Sequence, residues 1–238
     1  ARGARVLVQV QRPLLRLAAA SLAGIEVFVE GDLMPPFELH SPLLSLPFAC
    51  ATTLDTIPAQ IPYLKVDPAT AARWRNRIGT TGGLKVGLAW AGNPQHKNDR
   101  NRSIALERLA PLFEVAGVRW FSLQVGERAA DLVHAPAGRI ANLAERLTDF
   151  AETAAAVAGL DLVIAVDTAV AHLAGALGKP VWVLLPFVPD WRWLIDRADS
   201  PWYPTARLFR QPGRDDWESV AQAVRAALDE LVDRASQS

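Results

Sequence analysis

The residues with the clearest capacity for chemistry begin at Asp167-Thr168-Ala169 and continue to His172. An apolar run, residues 160–166, ends just before them, and a stretch of small residues follows. This pattern predicts a strand that passes directly into a helix. Unpaired N–H groups at such a helix start, together with the helix dipole, favour an anion such as a diphosphate. The plain alternative is that Asp167 only caps the helix and that His172 is an ordinary histidine, and the pattern alone leaves both open.

A second polar segment, residues 92–102, follows a predicted buried strand at residues 86–90. It carries Lys97, Arg100 and Arg102, and the planar fork of donors on an arginine suits a phosphate group. A solvated, charged loop is the alternative for this segment taken by itself.

Two further polar clusters follow the strands predicted at residues 118–123 and 181–185. The first contains Gln124, Gly126 and Glu127, whose amide and carboxylate groups could bind ribose hydroxyls or could be ordinary surface groups. The second is the aromatic segment 186–193. Because ligands in parallel sheets bind beyond the carboxyl ends of the strands, we expect all four clusters to share one edge.

The elements that must position these clusters alternate between strand and helix. Between the strands, the pattern predicts helices at residues 104–116, 149–159, 168–177 and 216–234. Such alternation is typical of a doubly wound, mostly parallel α/β sheet with helices on both faces.

Residues 1–80 have a different organisation. A strand at 6–10, a helix that opens at Pro13 and a strand at 25–29 predict a βαβ unit. Residues 31–62 are apolar and rich in proline, and we expect them to pack on a surface. A helix at 68–78 precedes a break at Thr80-Thr81-Gly82-Gly83, where we place the domain boundary.

Composition excludes several classes of protein. The formal net charge is zero, which removes the electrostatic case for a nucleic-acid partner. Cys50 is the one cysteine and the four histidines lack metal-ligand spacing, so we predict no disulfide and no metal site. No apolar run is long enough to span a bilayer. Glycine-rich dinucleotide and phosphate-loop motifs and the Gly-x-Ser-x-Gly elbow are absent.

Several segments together resemble the ADP-heptose:lipopolysaccharide heptosyltransferases. The resemblance is closer still to the related domain that follows tetratricopeptide repeats in bacterial proteins, and it covers nearly the whole chain. Its most specific parts are Val86 to Asn93 with Arg102-Ser103, Asp167 to Pro180, Pro189 to Trp193, and Ser200 to Tyr203.

The resemblance implies a GT-B glycosyltransferase with two Rossmann-like domains. Because the sequence has no metal motif, we expect a metal-independent reaction without a cofactor, in which Arg102 and the helix start at Thr168 take the charge of the leaving diphosphate. Residues 81–238 would form the C-terminal domain that holds the nucleotide-diphosphate sugar, and residues 1–80 only the later part of the acceptor domain. Asp167, Arg102 and His172 would contact the leaving group or the donor sugar, with Thr168 and Ala169 donating to the diphosphate. Other donor-binding positions would be Gly92, Asn93, Gln124, Gly126, Glu127 and Thr148, and Thr148 would lie near the base of the nucleotide.

One part of the family pattern has no match: the opening strand with a Gly-Asp loop, whose aspartate serves as the base. We therefore expect the base upstream, because the sequence starts without methionine and enters a strand at once. The expected partners are a glycan or protein acceptor and upstream tetratricopeptide repeats. The expected location is the cytoplasm, with peripheral binding to the inner membrane as an option. A sugar-nucleotide epimerase and a non-catalytic binding module are the alternatives.

Overall fold

The computed structural model describes residues 3–237, and a six-stranded, wholly parallel sheet dominates it. Its strands in chain order are β3 (Leu84–Ala89), β4 (Val118–Ser122), β5 (Ile140–Asn142), β6 (Leu162–Val166), β7 (Val181–Leu185) and β8 (Ala206–Arg210). In space the order is β5-β4-β3-β6-β7-β8. The predicted doubly wound parallel sheet is confirmed.

The central strands are buried on both faces, which explains their unbroken apolar sequences. Every residue of β6 and β7 is buried. Parallel sheets covered by helices on both sides have such strands. On one face lie α3 (Pro68–Ile78), α5 (Phe150–Ala158) and α6 (Ala169–Ala176). On the other lie α7 (Trp217–Ser236) and the 3-10 helix Leu106–Glu114.

The strand order reverses direction between β3 and β6. From β3 the chain runs outward through β4 to β5, and it then returns to β6 and runs outward through β7 to β8. The connections after β3 and β6 therefore diverge to opposite sides. Such a switch point leaves a crevice at the carboxyl ends of the two strands, where ligands bind in this class of fold.

A small βαβ unit precedes the large sheet. It consists of β1 (Leu7–Val10), α1 (Leu15–Ser21) and β2 (Glu26–Val29), with the two strands parallel, as predicted. Leu17 of α1 is buried against α5 and α6. Arg16 donates to Asp149 at 2.8 Å and approaches Glu152 at 3.5 Å, so the unit is attached to the start of α5.

Helix α3 packs on the larger sheet, although the sequence placed it ahead of the predicted boundary near residue 80. Trp74 and Ile78 are buried with α5, and the Trp74 Nε1 donates to Glu152 at 2.7 Å. The packing therefore groups residues 68–78 with the C-terminal part.

Four features of the elements differ from the sequence-based predictions. The segment 31–62 forms mostly exposed turns with a short helix, α2 (Leu46–Ala49), and side chains such as Leu33 and Phe48 are over nine-tenths exposed. The helix expected at 104–116 is the 3-10 helix Leu106–Glu114, which contains Pro111 and so lacks one amide donor. Strands β5 and β8 were not predicted, because β5 has three residues and arginines interrupt β8. A short helix, α4 (Asp99–Arg102), lies within the segment 92–102 that the sequence predicts as a loop.

Gly87 in β3 tests the tightness of this core. An added Cβ would lie 2.6 Å from the Cδ1 atoms of both Leu123 and Leu160, which are buried. We expect Gly87→Ala to lower the free energy of unfolding by about 1–3 kcal/mol through overpacking. Gly213→Ala is the control, since nothing lies within 4 Å of its added Cβ. Urea denaturation measures the free energy of unfolding of both variants. Equal values would contradict the prediction and show that the core accommodates a methyl group at Gly87.

Candidate functional site

The loops after β3 and β6 meet at the switch point through Arg102. Its Nη1 donates to the main-chain oxygen of Asp167 at 2.9 Å, and its Nε donates to the Asp99 carboxylate at 3.3 Å. The Arg102 side chain is only 14% exposed. Asp99 is buried as well, so the guanidinium is held between a carboxylate and a carbonyl. Arg102 and the Asp167 segment therefore lie together at one edge of the sheet, where the sequence places both clusters, and this contact between them was not predicted.

Gly92 makes room for this arginine. A Cβ at Gly92 would lie 2.4 Å from Arg102 Nη2 and 2.5 Å from the Asp99 carboxylate. Its N–H donates to the Ser103 hydroxyl at 3.0 Å, which closes the loop. Asn93 is exposed and accepts from the amide of Gln95 at 3.0 Å. The absence of a side chain at Gly92 thus leaves space for Arg102, whereas the Asn93 side chain stabilises a turn. Lys97 and Arg100 point to solvent.

The Asp167 carboxylate is surrounded by groups that favour its charged form. Burial acts most strongly and would raise its pKa, but His172, Trp193 and Arg102 together lower the pKa below its usual value. The Trp193 indole N–H helps to lower this pKa, although it forms no regular hydrogen bond with any group in the described part of the chain. An ionised carboxylate therefore lies beside the start of α6.

His172 is held on three sides. Its Nε2 is 3.7 Å from the Asp167 carboxylate and its Nδ1 is 3.1 Å from the Tyr203 hydroxyl. Its ring stacks on Trp193 with centroids 5.1 Å apart. Burial, followed by the neighbouring Tyr63, raises the pKa of Tyr203 well above its ordinary value, so the phenol stays protonated. The imidazole therefore has a fixed position one helical turn from Asp167.

Gly175 allows Tyr203 to reach His172. A Cβ on this buried helical glycine would lie 2.4 Å from the Tyr203 ring. The small size of Gly175 therefore lets an aromatic ring from the β7–β8 connection pack against α6.

The start of α6 offers free donors. Thr168 occupies the N-cap position without a side-chain capping bond, and its buried hydroxyl has no partner within residues 3–237. The first amides of a helix have no intrahelical acceptor, so those of Thr168, Ala169 and Val170 are open to an external anion. Ala169 is exposed, which leaves this approach unobstructed.

Gln124 has a structural task instead of the expected contact with ribose. Its Oε1 accepts from the amides of Trp90 and Ala91 at 3.1 and 2.9 Å. Its Nε2 donates to the carbonyls of Ala91 and Val125 at 3.1 and 3.3 Å. The side chain is buried and its hydrogen-bonding capacity is filled. Gln124 therefore joins the ends of β3 and β4.

The remaining predicted residues lie on the β4–β5 side. Gly126 has a φ of 73°, which favours glycine, and Glu127 follows it as the exposed first residue of the 3-10 helix Glu127–His134. Thr148 is exposed directly before Asp149, the N-cap of α5. The side chains of Glu127 and Thr148 are exposed, and their contact with a ligand stays a prediction.

Sequence reasoning missed the contributions of Asp99, Trp193 and Tyr203. The spacing of Asp99 and Arg102, three apart, was the available signal for the ion pair. Trp193 and Tyr203 lie in segments that carried the family resemblance, but nothing local indicated that they flank His172.

Residues 3–237 contain neither a cluster of metal ligands nor a membrane-spanning helix. Across residues 3–237 no group of three or more histidine, cysteine, aspartate or glutamate side chains is placed to hold a metal ion. None of the helices in that range has the length and apolar character to cross a membrane.

The family model of glycosyltransferase family 9 (heptosyltransferase) matches residues 121–184, which run from β4 to β7 and include Asp167 and His172. Protein FlbA of Caulobacter vibrioides is 28% identical over 187 residues. That alignment covers 74% of this chain and 30% of FlbA, so the chain spans about a third of the length of that relative.

Two solved structures share the fold. The ADP-heptose lps heptosyltransferase II of E. coli matches with a TM-score of 0.55 and 17% identity, over 78% of this chain and 58% of that one. A family 9 glycosyl transferase from Veillonella parvula matches with a TM-score of 0.53 and 13% identity, over 71% and 53%. The predicted resemblance to heptosyltransferases and the GT-B type of α/β fold are confirmed, while the tetratricopeptide repeats stay a prediction.

The lowered pKa of Asp167 predicts a pH effect on stability. A carboxyl whose pKa is lower in the folded state stabilises the fold above its unfolded pKa of about 4. That contribution is lost as pH falls through the lower folded value. We expect Asp167→Asn to show a smaller loss of unfolding free energy between about pH 5 and pH 2 than the unaltered chain. Urea denaturation across this range measures the difference, and the same pH dependence in both proteins would contradict the assignment.

Proposed function

We propose that this chain is the nucleotide-sugar-binding part of a glycosyltransferase, which moves a sugar from a nucleoside-diphosphate sugar to an acceptor hydroxyl. The observation that carries the proposal is the meeting of Arg102 with the open start of α6 at the switch point. A guanidinium and several free amides at one place form a site for a diphosphate. The match to family 9 over the same segment supports this chemistry.

The sheet order suggests how the donor lies along the crevice. The diphosphate would bind at the start of α6, between β3 and β6. The nucleoside would extend toward β4 and β5, where Glu127 and Thr148 are exposed. The sugar would extend the other way, toward His172 and the loops after β7.

The reaction needs stabilisation of the charge that develops on the leaving diphosphate. Arg102 and the α6 amides are fixed in place before the reaction, and such preorganised donors are the principal means of stabilising developing charge. In this proposal these groups supply the positive charge and make a divalent cation dispensable. Asp167 and His172 would contact the donor sugar or the leaving group. We assign no general base, and the acceptor would be a glycan or protein hydroxyl.

The first test is nucleotide binding with and without chelation. We expect at least one of UDP, ADP and GDP to raise the melting temperature, because a ligand that binds only the folded state stabilises it. The shift should persist in EDTA. No response to any of the three would contradict the donor site, and a shift abolished by EDTA would contradict the proposed way of holding the diphosphate. A parallel assay of sugar release from nucleotide sugars separates an enzyme from a binding module.

A charge at the start of α6 tests where the diphosphate binds. We expect Ala169→Glu to weaken binding of the responding nucleotide by at least about tenfold, because the carboxylate repels the diphosphate. The helix itself should not suffer, since an acidic residue in the first turn is favourable. Ala69→Glu, at the exposed start of α3, is the matched control. Calorimetry that finds both variants binding like the original chain would place the diphosphate elsewhere.

The two neighbouring arginines provide another comparison. Arg102 lies in the crevice, whereas Arg100 is exposed. Removal of a charged hydrogen bond costs about 1.5–3 kcal/mol, so Arg102→Ala should weaken nucleotide binding far more than Arg100→Ala. Because Arg102 also pairs with buried Asp99, calorimetry must be done well below the melting temperature of each variant. Equal affinities of the two variants would refute the role of Arg102.

A further inference from the structure

A cavity separate from the start of α6 lies beyond His172, on the β7–β8 side of the crevice. Its volume is about 500 Å³, within the range of small-molecule sites. Aromatic rings form much of its wall: Tyr63, His172, Trp191, Trp193, Trp202 and Tyr203. Two parts of the chain form the wall. The segment ahead of α3 contributes Leu43, Leu44, Pro47 and Tyr63, and the other residues come from α6 and the β7–β8 connection.

The Trp191 ring forms a fixed surface in this cavity although it is 57% exposed. The Arg192 guanidinium lies 4.6 Å from its centroid, and Trp202 meets it edge to face at 6.1 Å. The turn that carries the ring is also held. Asp190 accepts from the Arg192 amide at 3.0 Å and from the Arg192 side chain at 2.7 Å.

A second arginine fixes the far end of this turn. The Arg210 guanidinium donates to the carbonyls of Trp193, Leu194 and Arg197. The exposure of Trp191 leaves part of its ring accessible beside Arg192 and Trp202, and the braced turn lowers the entropic cost of binding a ligand there.

The cavity combines aromatic faces with polar groups at their edges. The face of an aromatic ring carries a negative electrostatic potential, which attracts the weakly positive C–H hydrogens of a ligand. The His172 imidazole and the hydroxyls of Tyr63 and Tyr203 add hydrogen-bonding groups at the rim. A pyranose ring has the matching chemistry, since it bears C–H bonds on its faces and hydroxyls around its edge.

The sheet order separates this cavity from the nucleoside end of the crevice. The residues expected near the nucleoside follow β4 and precede α5, whereas the cavity is bounded by the loops after β7. His172 lines the cavity and also lies 3.7 Å from the Asp167 carboxylate, beside the start of α6. A group in the cavity would therefore lie next to the proposed diphosphate, on the side away from the nucleoside.

We infer that the cavity binds a pyranose ring that stacks on Trp191. The inference deepens the proposed function and rests on it, because it places the carbohydrate beside the diphosphate site. The ring could be the sugar of the nucleotide donor or a sugar of a glycan acceptor, and the two sources share this chemistry.

The test uses two kinds of probe on the whole chain. Saturation-transfer NMR measures a panel of methyl pyranosides with UDP, ADP or GDP present. Calorimetry compares each nucleoside diphosphate with its nucleotide sugar. Both are applied to Trp191→Ala and Trp191→Phe, with Phe37→Ala as the control, since Phe37 is an aromatic residue outside the cavity that is 52% exposed.

We expect carbohydrate binding in the original chain, in Phe37→Ala and in Trp191→Phe, and an approximately tenfold loss in Trp191→Ala. Nucleoside diphosphate affinity should not change in any of them. Signals from a methyl pyranoside would identify an acceptor ring, and a gain in affinity limited to nucleotide sugars would identify the donor ring. Nucleotide binding without carbohydrate binding that depends on Trp191 would overturn this inference alone. Failure of nucleotide binding as well would overturn the proposed function with it.

Discussion

The reversal of strand order between β3 and β6 is the constraint on which the site depends. It separates the two following connections and leaves the carboxyl ends of the strands side by side. Arg102 crosses this gap and donates to the backbone of Asp167. The arginine is in turn fixed by buried Asp99 and by the lack of a side chain at Gly92. This hydrogen bond across the switch point thus holds the guanidinium beside the start of α6.

From Arg102 toward β7, the groups that line the crevice change from charged to aromatic. The open amides of α6 lie next to Arg102, and the Asp167 carboxylate beside them orients His172. Tyr203 holds the other nitrogen of that ring, and the aromatic cavity begins there. A charged, hydrogen-bonding centre therefore passes into an aromatic wall within a few residues. A nucleotide sugar has the same sequence of properties, from its diphosphate to its sugar ring.

The parts of this site that the sequence predicts are those that local pattern controls. An unbroken apolar run followed by Asp167 and small residues is sufficient to predict the strand, the helix and the free amides. Topology then brings Arg102 near them. The role of Gln124 was not predictable, since its partners include backbone groups 33 positions away. The contact of Tyr203 with His172 depends on packing of the Tyr203 ring against Gly175. The exposure of the apolar side chains in residues 31–62 depends on tertiary contacts, which the local sequence does not specify.

The most direct test of this account is a crystal structure of the chain with a bound nucleoside diphosphate. We predict that the diphosphate oxygens lie within hydrogen-bond distance of the amides of Thr168 to Val170 and of the Arg102 guanidinium, with the nucleoside toward β4. A diphosphate bound anywhere else, or one at this place that contacts neither the start of α6 nor Arg102, would contradict the account.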